Sequence, residues 1–128
     1  MKKEVIQSEK AAAPVGPYSQ GIRVGNLVFV AGEKGLDPRT GKIVPGGISA
    51  ETRQTLENIK AILEAAGATM DDVVRTQVFL TEIQEFAAMN VVYAEYFKVA
   101  PPGRTTVQVV ALPAGAHVEI EATAVITG

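Results

Sequence analysis

Two glutamates near the C-terminus, Glu119 and Glu121, alternate with apolar residues from Val118 to Ile126. In a β-strand this alternation puts Val118, Ile120, Ala122, Ala124 and Ile126 on one face. Glu119, Glu121 and Thr123 fall on the other, with the two carboxylates about 7 Å apart. A carboxylate held there can act as a general base or position a water. The same spacing describes a solvated strand edge, the commoner arrangement, and it does not choose between the two glutamates. Arg104 follows Pro101-Pro102-Gly103 and opens another apolar and β-branched run. A guanidinium fixed beside a rigid turn can grip a carboxylate through two parallel hydrogen bonds, although most arginines so placed are surface residues. Tyr18, in Gly16-Pro17-Tyr18-Ser19, offers a ring to line a pocket and a hydroxyl to bond a ligand, or it packs in the core.

Other chemistries are closed by composition. The chain has 128 residues, no cysteine and one histidine, His117. A thiolate nucleophile, a disulfide and a Cys-ligated zinc are therefore excluded. His117 has no nucleophile-elbow motif to serve and is expected at a strand start, exposed or capping. Asp71-Asp72 lacks ligand spacing for a metal, and Gly32 and Gly35 do not form a phosphate loop. A formal net charge of −2 argues against a broad nucleic-acid footprint. Met1-Lys2-Lys3-Glu4 is not followed by an apolar run, and no stretch approaches the roughly 20 apolar residues of a membrane span. The expectation is one soluble cytoplasmic domain over 1–128, with a core built on Val, Ile, Leu and Ala.

The elements that must position these residues follow from periodicity. Two apolar runs around Gly25-Asn26 predict a hairpin over 22–31. A loop rich in Gly and Pro follows, with Asp37-Pro38-Arg39-Thr40-Gly41 as a turn. Ser49 is the expected N-cap of a helix over 50–66, with Glu51 in its first turn, Leu56, Ile59, Ile62, Leu63 and Ala66 on one face, and Gly67 as C-cap. A β-branched strand is expected over 73–80. Thr81 and Gln84 have capping-box spacing ahead of a second helix over 83–98, whose stripe is Phe86, Met89, Tyr93 and Phe97. Strands over 105–112 and 117–127, joined by a short connection, are expected to pair antiparallel. The order predicts an α+β fold, a mixed sheet with two helices on one face. Its other, uncovered face predicts self-association.

In order and spacing, Gly16-Pro17-Tyr18-Ser19-Gln20, Leu56-Glu57-Asn58-Ile59, Ala65-Ala66-Gly67, Arg104-Thr105-Thr106-Val107, Leu112-Pro113 and Val118-Glu119-Ile120-Glu121-Ala122 resemble the Rid, or YjgF, family of reactive intermediate deaminases. The resemblance runs from about Val5 to Ile126. It implies a chorismate-mutase-like fold, a homotrimer with clefts between subunits, and hydrolysis of 2-iminobutanoate, 2-iminopropanoate and related enamines to 2-keto acids and ammonia, without metal or organic cofactor. Arg104 matches the family's carboxylate-binding arginine, Glu119 its water-orienting glutamate, and Tyr18 its pocket tyrosine. Backbone groups near Gly32 would hold the imine nitrogen. Thr106, which stands where some members carry a cysteine, joins Tyr18 and Gly32 among the expected substrate-binding positions. Gly32-Glu33-Lys34-Gly35 departs from the pattern, since many relatives have Gly-Gln and then an apolar residue. The two charges are expected to alter the cleft rim or the substrate preference.

Pairing 105–112 with the last strand through a tight turn would set Arg104 level with Thr123, leaving Glu119 about 13 Å away along the strand. Two subunits would then be needed to bring them together. The rival functions are a module that senses a small carboxylate or keto acid without turnover, and the ribonuclease or holdase activities associated with some members of the family.

Overall fold

The computed structural model describes residues 1–127. A six-stranded sheet runs in the order β1-β2-β3-β6-β4-β5, formed by β1 (Lys3–Ile6), β2 (Gly21–Val24), β3 (Leu27–Lys34), β4 (Val73–Leu80), β5 (Gly103–Gln108) and β6 (Val118–Val125). Helices α1 (Gly47–Ala65) and α2 (Phe86–Tyr96) pack on one face. The core lies between them and the sheet. Val118, Ile120, Ala122 and Ala124 point inward from β6 against Leu56, Ile59, Ile62 and Leu63 of α1 and Met89 and Tyr93 of α2.

The expected hairpin forms at Gly25-Asn26. Val24 faces Leu27 across the turn, and Gly25 takes a φ of 58°, which a side chain would strain. The alternation in the last strand holds as well, every second residue from Val118 to Ala124 being buried.

The pairing of the final strands differs from expectation. β5 does not touch β6. It runs parallel to β4, with Arg104 opposite Thr76, and β4 lies antiparallel between β5 and β6. Two causes are visible. β4, α2 and β5 make a strand–helix–strand crossover, which delivers its second strand parallel to the first. The connection to β6 is a 3₁₀ turn, Pro113–Gly115, and not a tight hairpin. The ladder therefore stops at Gln108, short of the expected residue 112. With mostly exposed or half-buried residues, β5 suits a sheet edge.

Helix boundaries shift too. α1 begins at Gly47 after Gly46, whose left-handed φ of 116° turns the chain into the helix. Ser49 is thus inside the helix and is not its N-cap. Glu51 is buried and is bonded to His117. No side-chain cap forms at Thr81 and Gln84, where a short 3₁₀ turn (Ile83–Glu85) precedes α2. The reciprocal cap lies at Thr69, whose N–H donates to the Asp72 carboxylate at 2.8 Å. The first strand, Lys3–Ile6, was not foreseen; only Ile6 of its four residues is buried.

The sheet face turned away from the helices carries Leu27, Phe29 and Val107, each more than 40 % exposed, beside Glu119, Glu121 and Thr123. Among the described residues no helix is long and apolar enough to cross a membrane.

Candidate active site

Glu119 lies on this uncovered face near the start of β6, opposite Lys34 at the end of β3. The pairing between β3 and β6 slips between Val30 and Glu33. The irregularity brings Gly32 directly beneath the glutamate. A Cβ built on Gly32 would collide with the Glu119 Oε2 atom, so only glycine lets this carboxylate lie on the β3 backbone.

Lys34 is 5 % exposed. Its Nζ donates to the Gly32 carbonyl at 3.1 Å and stands 3.7 Å from Glu119 Oε1. Asn58 of α1 fixes this end of β3 by donating to the carbonyls of Lys34 and Leu36 at 3.1 and 3.0 Å. Neighbouring Glu33 faces the other way, paired with inward Ile120. Burial, opposed in part by Lys34, pushes its carboxyl from 4.5 up to about 8.

Tyr18 reaches the same place from the segment before β2. Gln20 anchors that segment, accepting from the Ser8 N–H at 2.7 Å and donating to the Ala12 carbonyl at 2.8 Å. The Tyr18 hydroxyl accepts the Val15 N–H at 3.1 Å, leaving its own hydrogen to donate. Tyr18, Gly32, Lys34 and Glu119, with Val15, Ala31 and Pro113, line an open cleft of about 270 Å³.

Arg104 is elsewhere. Its guanidinium stacks on α2, 4.7 Å from the Tyr93 ring centre and 5.3 Å from that of Phe86. Tyr93 is tied in turn to Thr76 by a 2.6 Å hydrogen bond between hydroxyls. Cation–π attraction to two rings holds the guanidinium in place, and its five N–H groups exceed what these neighbours engage, so donors remain for a ligand. Among the described residues no carboxylate lies within ion-pair range of Arg104. Thr106, two residues on, faces the same side and is half-buried.

The residues singled out from sequence therefore form two groups. Tyr18, Gly32 and Glu119 line one cleft on the uncovered sheet face. Arg104 and Thr106 stand on the helix side at the far edge. Arg104 is level with Ala122 through Thr76. Glu119 is then about 10 Å along the sheet and about 10 Å across it, on the opposite face. The level with Thr123 expected from a tight turn is corrected by one residue, which shortens the distance along the strand, while the intervening β4 widens the distance across the sheet.

The sequence points to Lys34 only as a charge at the cleft rim, and nothing local announces its burial against Glu119. Asn90 lies one turn from both Phe86 and Tyr93 on α2, and its side-chain oxygen is buried without a partner. A polar residue interrupting the stripe of Phe86, Met89, Tyr93 and Phe97 is the signal that would have found it. His117 is exposed and stands one residue before β6, which runs over Val118–Val125 and not over the expected 117–127. Its N–H donates to Glu51 at 2.8 Å and its Nδ1 lies 2.6 Å from the other oxygen of that carboxylate, which holds the imidazole above its ordinary pKa.

Comparison with known proteins places this architecture. The family model described as Endoribonuclease L-PSP matches residues 8–126. A RutC family protein of Pyrococcus abyssi is 53 % identical over 97 % of this chain and 98 % of its own. The 2-iminobutanoate/2-iminopropanoate deaminase of Mus musculus is 45 % identical over 96 % of this chain and 91 % of its own. The crystal structure of RidA from an Antarctic Psychrobacter superimposes with a TM-score of 0.93 at 46 % identity, covering 96 % of this chain and 99 % of that one. Sequence and fold agree along almost the whole length, and the chain belongs to the Rid (YjgF, endoribonuclease L-PSP) family.

Proposed function

We propose that this protein is a deaminase that hydrolyses 2-imino acids to 2-keto acids and ammonia, in clefts formed between copies of a homotrimer. The observation that carries the reading is the division of the site. Arg104 holds its guanidinium on two aromatic rings with no carboxylate partner, at the opposite edge and face from a glutamate lining a cleft. One copy supplies half of what an imino acid needs. The exposed Leu27, Phe29 and Val107 on the cleft face give a second copy an apolar surface to cover. The activity named for the mouse relative is the chemistry such a composite site suits.

In this mechanism Arg104 of one copy takes the substrate carboxylate in a two-point grip and fixes the plane of C2. Glu119 of another copy orients a water toward C2 and accepts its proton as oxygen bonds to carbon. With the substrate as its iminium, the C=N π pair moves to nitrogen and leaves a neutral amine. Glu119 passes the water's proton to that amine, the C–N bond breaks and ammonia leaves, and the hydroxyl becomes the keto group as its proton returns to Glu119. Tyr18 donates its free hydroxyl hydrogen, while backbone groups at Gly32 and the Thr106 hydroxyl serve as further substrate contacts. Free imines hydrolyse unaided, so orientation and one carboxylate suffice.

The test is imine hydrolysis with substrate supplied continuously by threonine dehydratase and residual imine trapped as semicarbazone. Faster loss of imine with wild type and not with Arg104→Ala supports the reading. Equal rates with and without protein, across several small imino acids, would overturn it in favour of carboxylate sensing.

A further inference from the structure

The buried ammonium of Lys34 is not used by this mechanism. Its side chain is 5 % exposed and opens on the cleft that holds Glu119. A lysine head carries three N–H donors, and burying one is costly unless its donors are met. Here one donor is met by the Gly32 carbonyl at 3.1 Å. Glu119 at 3.7 Å neutralises charge but is too far for a charge-assisted hydrogen bond, which closes to about 2.8 Å. The head is therefore held in place and under-bonded, beside the apolar side chains of Val15, Ala31 and Pro113.

We propose that Lys34 is a specificity-determining residue, and that the preferred substrates are imino acids carrying a second anionic group at the end of the side chain. The inference rests on the composite cleft proposed above. The geometry supports it. Glu33 points into the core, so Lys34 and Arg104 are the two cationic groups of the composite cleft, one for each carboxylate of such a substrate. The free N–H donors of Lys34 then gain a strong acceptor in place of an apolar wall.

The experiment is calorimetric binding of keto-acid products, so it does not depend on turnover. 2-Oxoglutarate and 2-oxohexanoate are compared on wild type, Lys34→Met and Lys34→Gln, with thermal unfolding as a check on folding. We expect wild type to prefer 2-oxoglutarate by about tenfold, as one hydrogen bond to a charged group gives. Both variants should lose or invert that preference. Equal affinities in wild type, a preference for 2-oxohexanoate, or a preference that survives both substitutions would overturn the proposal while leaving the cleft intact. Failure of wild type to bind either acid would overturn the composite cleft, and this proposal with it.

Discussion

Arg104 and Glu119 occupy opposite faces of one sheet, separated by β4 and by three residues along β6. No rotamer change brings them together, since a strand's side chains leave it on fixed sides. If both act on one substrate, two copies must supply them. Arg104→Ala and Glu119→Ala proteins should each be inactive in imine hydrolysis. Mixed after dissociation and reassembled at equal ratio, they should regain about a quarter of wild-type activity, the statistical share of clefts that draw both native residues from different copies. Absence of recovery in a mixture shown to exchange subunits would mean that the two residues do not share a cleft.

How much of this was legible in the sequence depends on what periodicity reports. It gives the face a side chain takes, and it correctly placed Glu119 away from the core and the apolar stripe of α1 against the sheet. It does not report which strand is the neighbour. The run after Arg104 alternates equally well beside β6 or beside β4, and only the crossover through α2 decides for β4. The burial of Lys34 was hidden for a related reason. It depends on a slip in the β3–β6 ladder and on the Asn58 bridge from α1, both of them contacts between distant segments.

Gly32 is predicted to be required for its lack of a side chain. Gly32→Ala would place a methyl on the Glu119 carboxylate and push it from its position over β3. The fold should tolerate this, because the displaced group is the end of a side chain bordering an open cleft. Imine turnover should fall by at least an order of magnitude, in the range seen when positioning is lost, with the melting temperature little changed. Full activity in Gly32→Ala would show that the position of Glu119 in this structure is not the working one.

Glu51 and His117 should govern stability and not turnover. The Glu51 carboxylate is 2 % exposed, and its two oxygens meet the N–H and the ring of His117. His117→Ala leaves a buried carboxylate with only a backbone partner, but the imidazole is half exposed to solvent, so a loss of about 1 kcal/mol is expected. Because the imidazole is held above its ordinary pKa, its contribution is complete below about pH 6.5 and fades as pH rises through the folded value. Denaturant unfolding of wild type and His117→Ala at pH 6 and pH 9 should show the difference between them shrinking at the higher pH.

Thr52 gives a prediction of opposite sign. Its hydroxyl is buried in α1 without a hydrogen-bond partner. Thr52→Val keeps the shape and removes the unmet group, so unfolding free energy should stay level or rise by about 1 kcal/mol. A clear loss of stability by chemical denaturation would indicate a partner for that hydroxyl, such as a buried water.

Glu33 makes the strongest case for a pH-dependent fold. Its carboxyl titrates near 4.5 when unfolded and at about 8 in the folded protein, raised by burial beyond what Lys34 can offset. Below about pH 4.5 both states hold the proton and ionisation adds no penalty. Between there and about pH 8 the unfolded chain releases its proton while the folded one keeps it, so stability declines with rising pH. Above that range the penalty levels off, on the order of a few kcal/mol. Glu33→Gln keeps the shape and cannot ionise. Its advantage over wild type in unfolding free energy should therefore be small near pH 4.5, grow steadily to about pH 8 and then stop growing. His117 also weakens the fold toward high pH, but it is present in both proteins and cancels in the comparison. An advantage independent of pH would mean that Glu33 is solvated or paired in solution, and that the β3 end is more open than its burial implies.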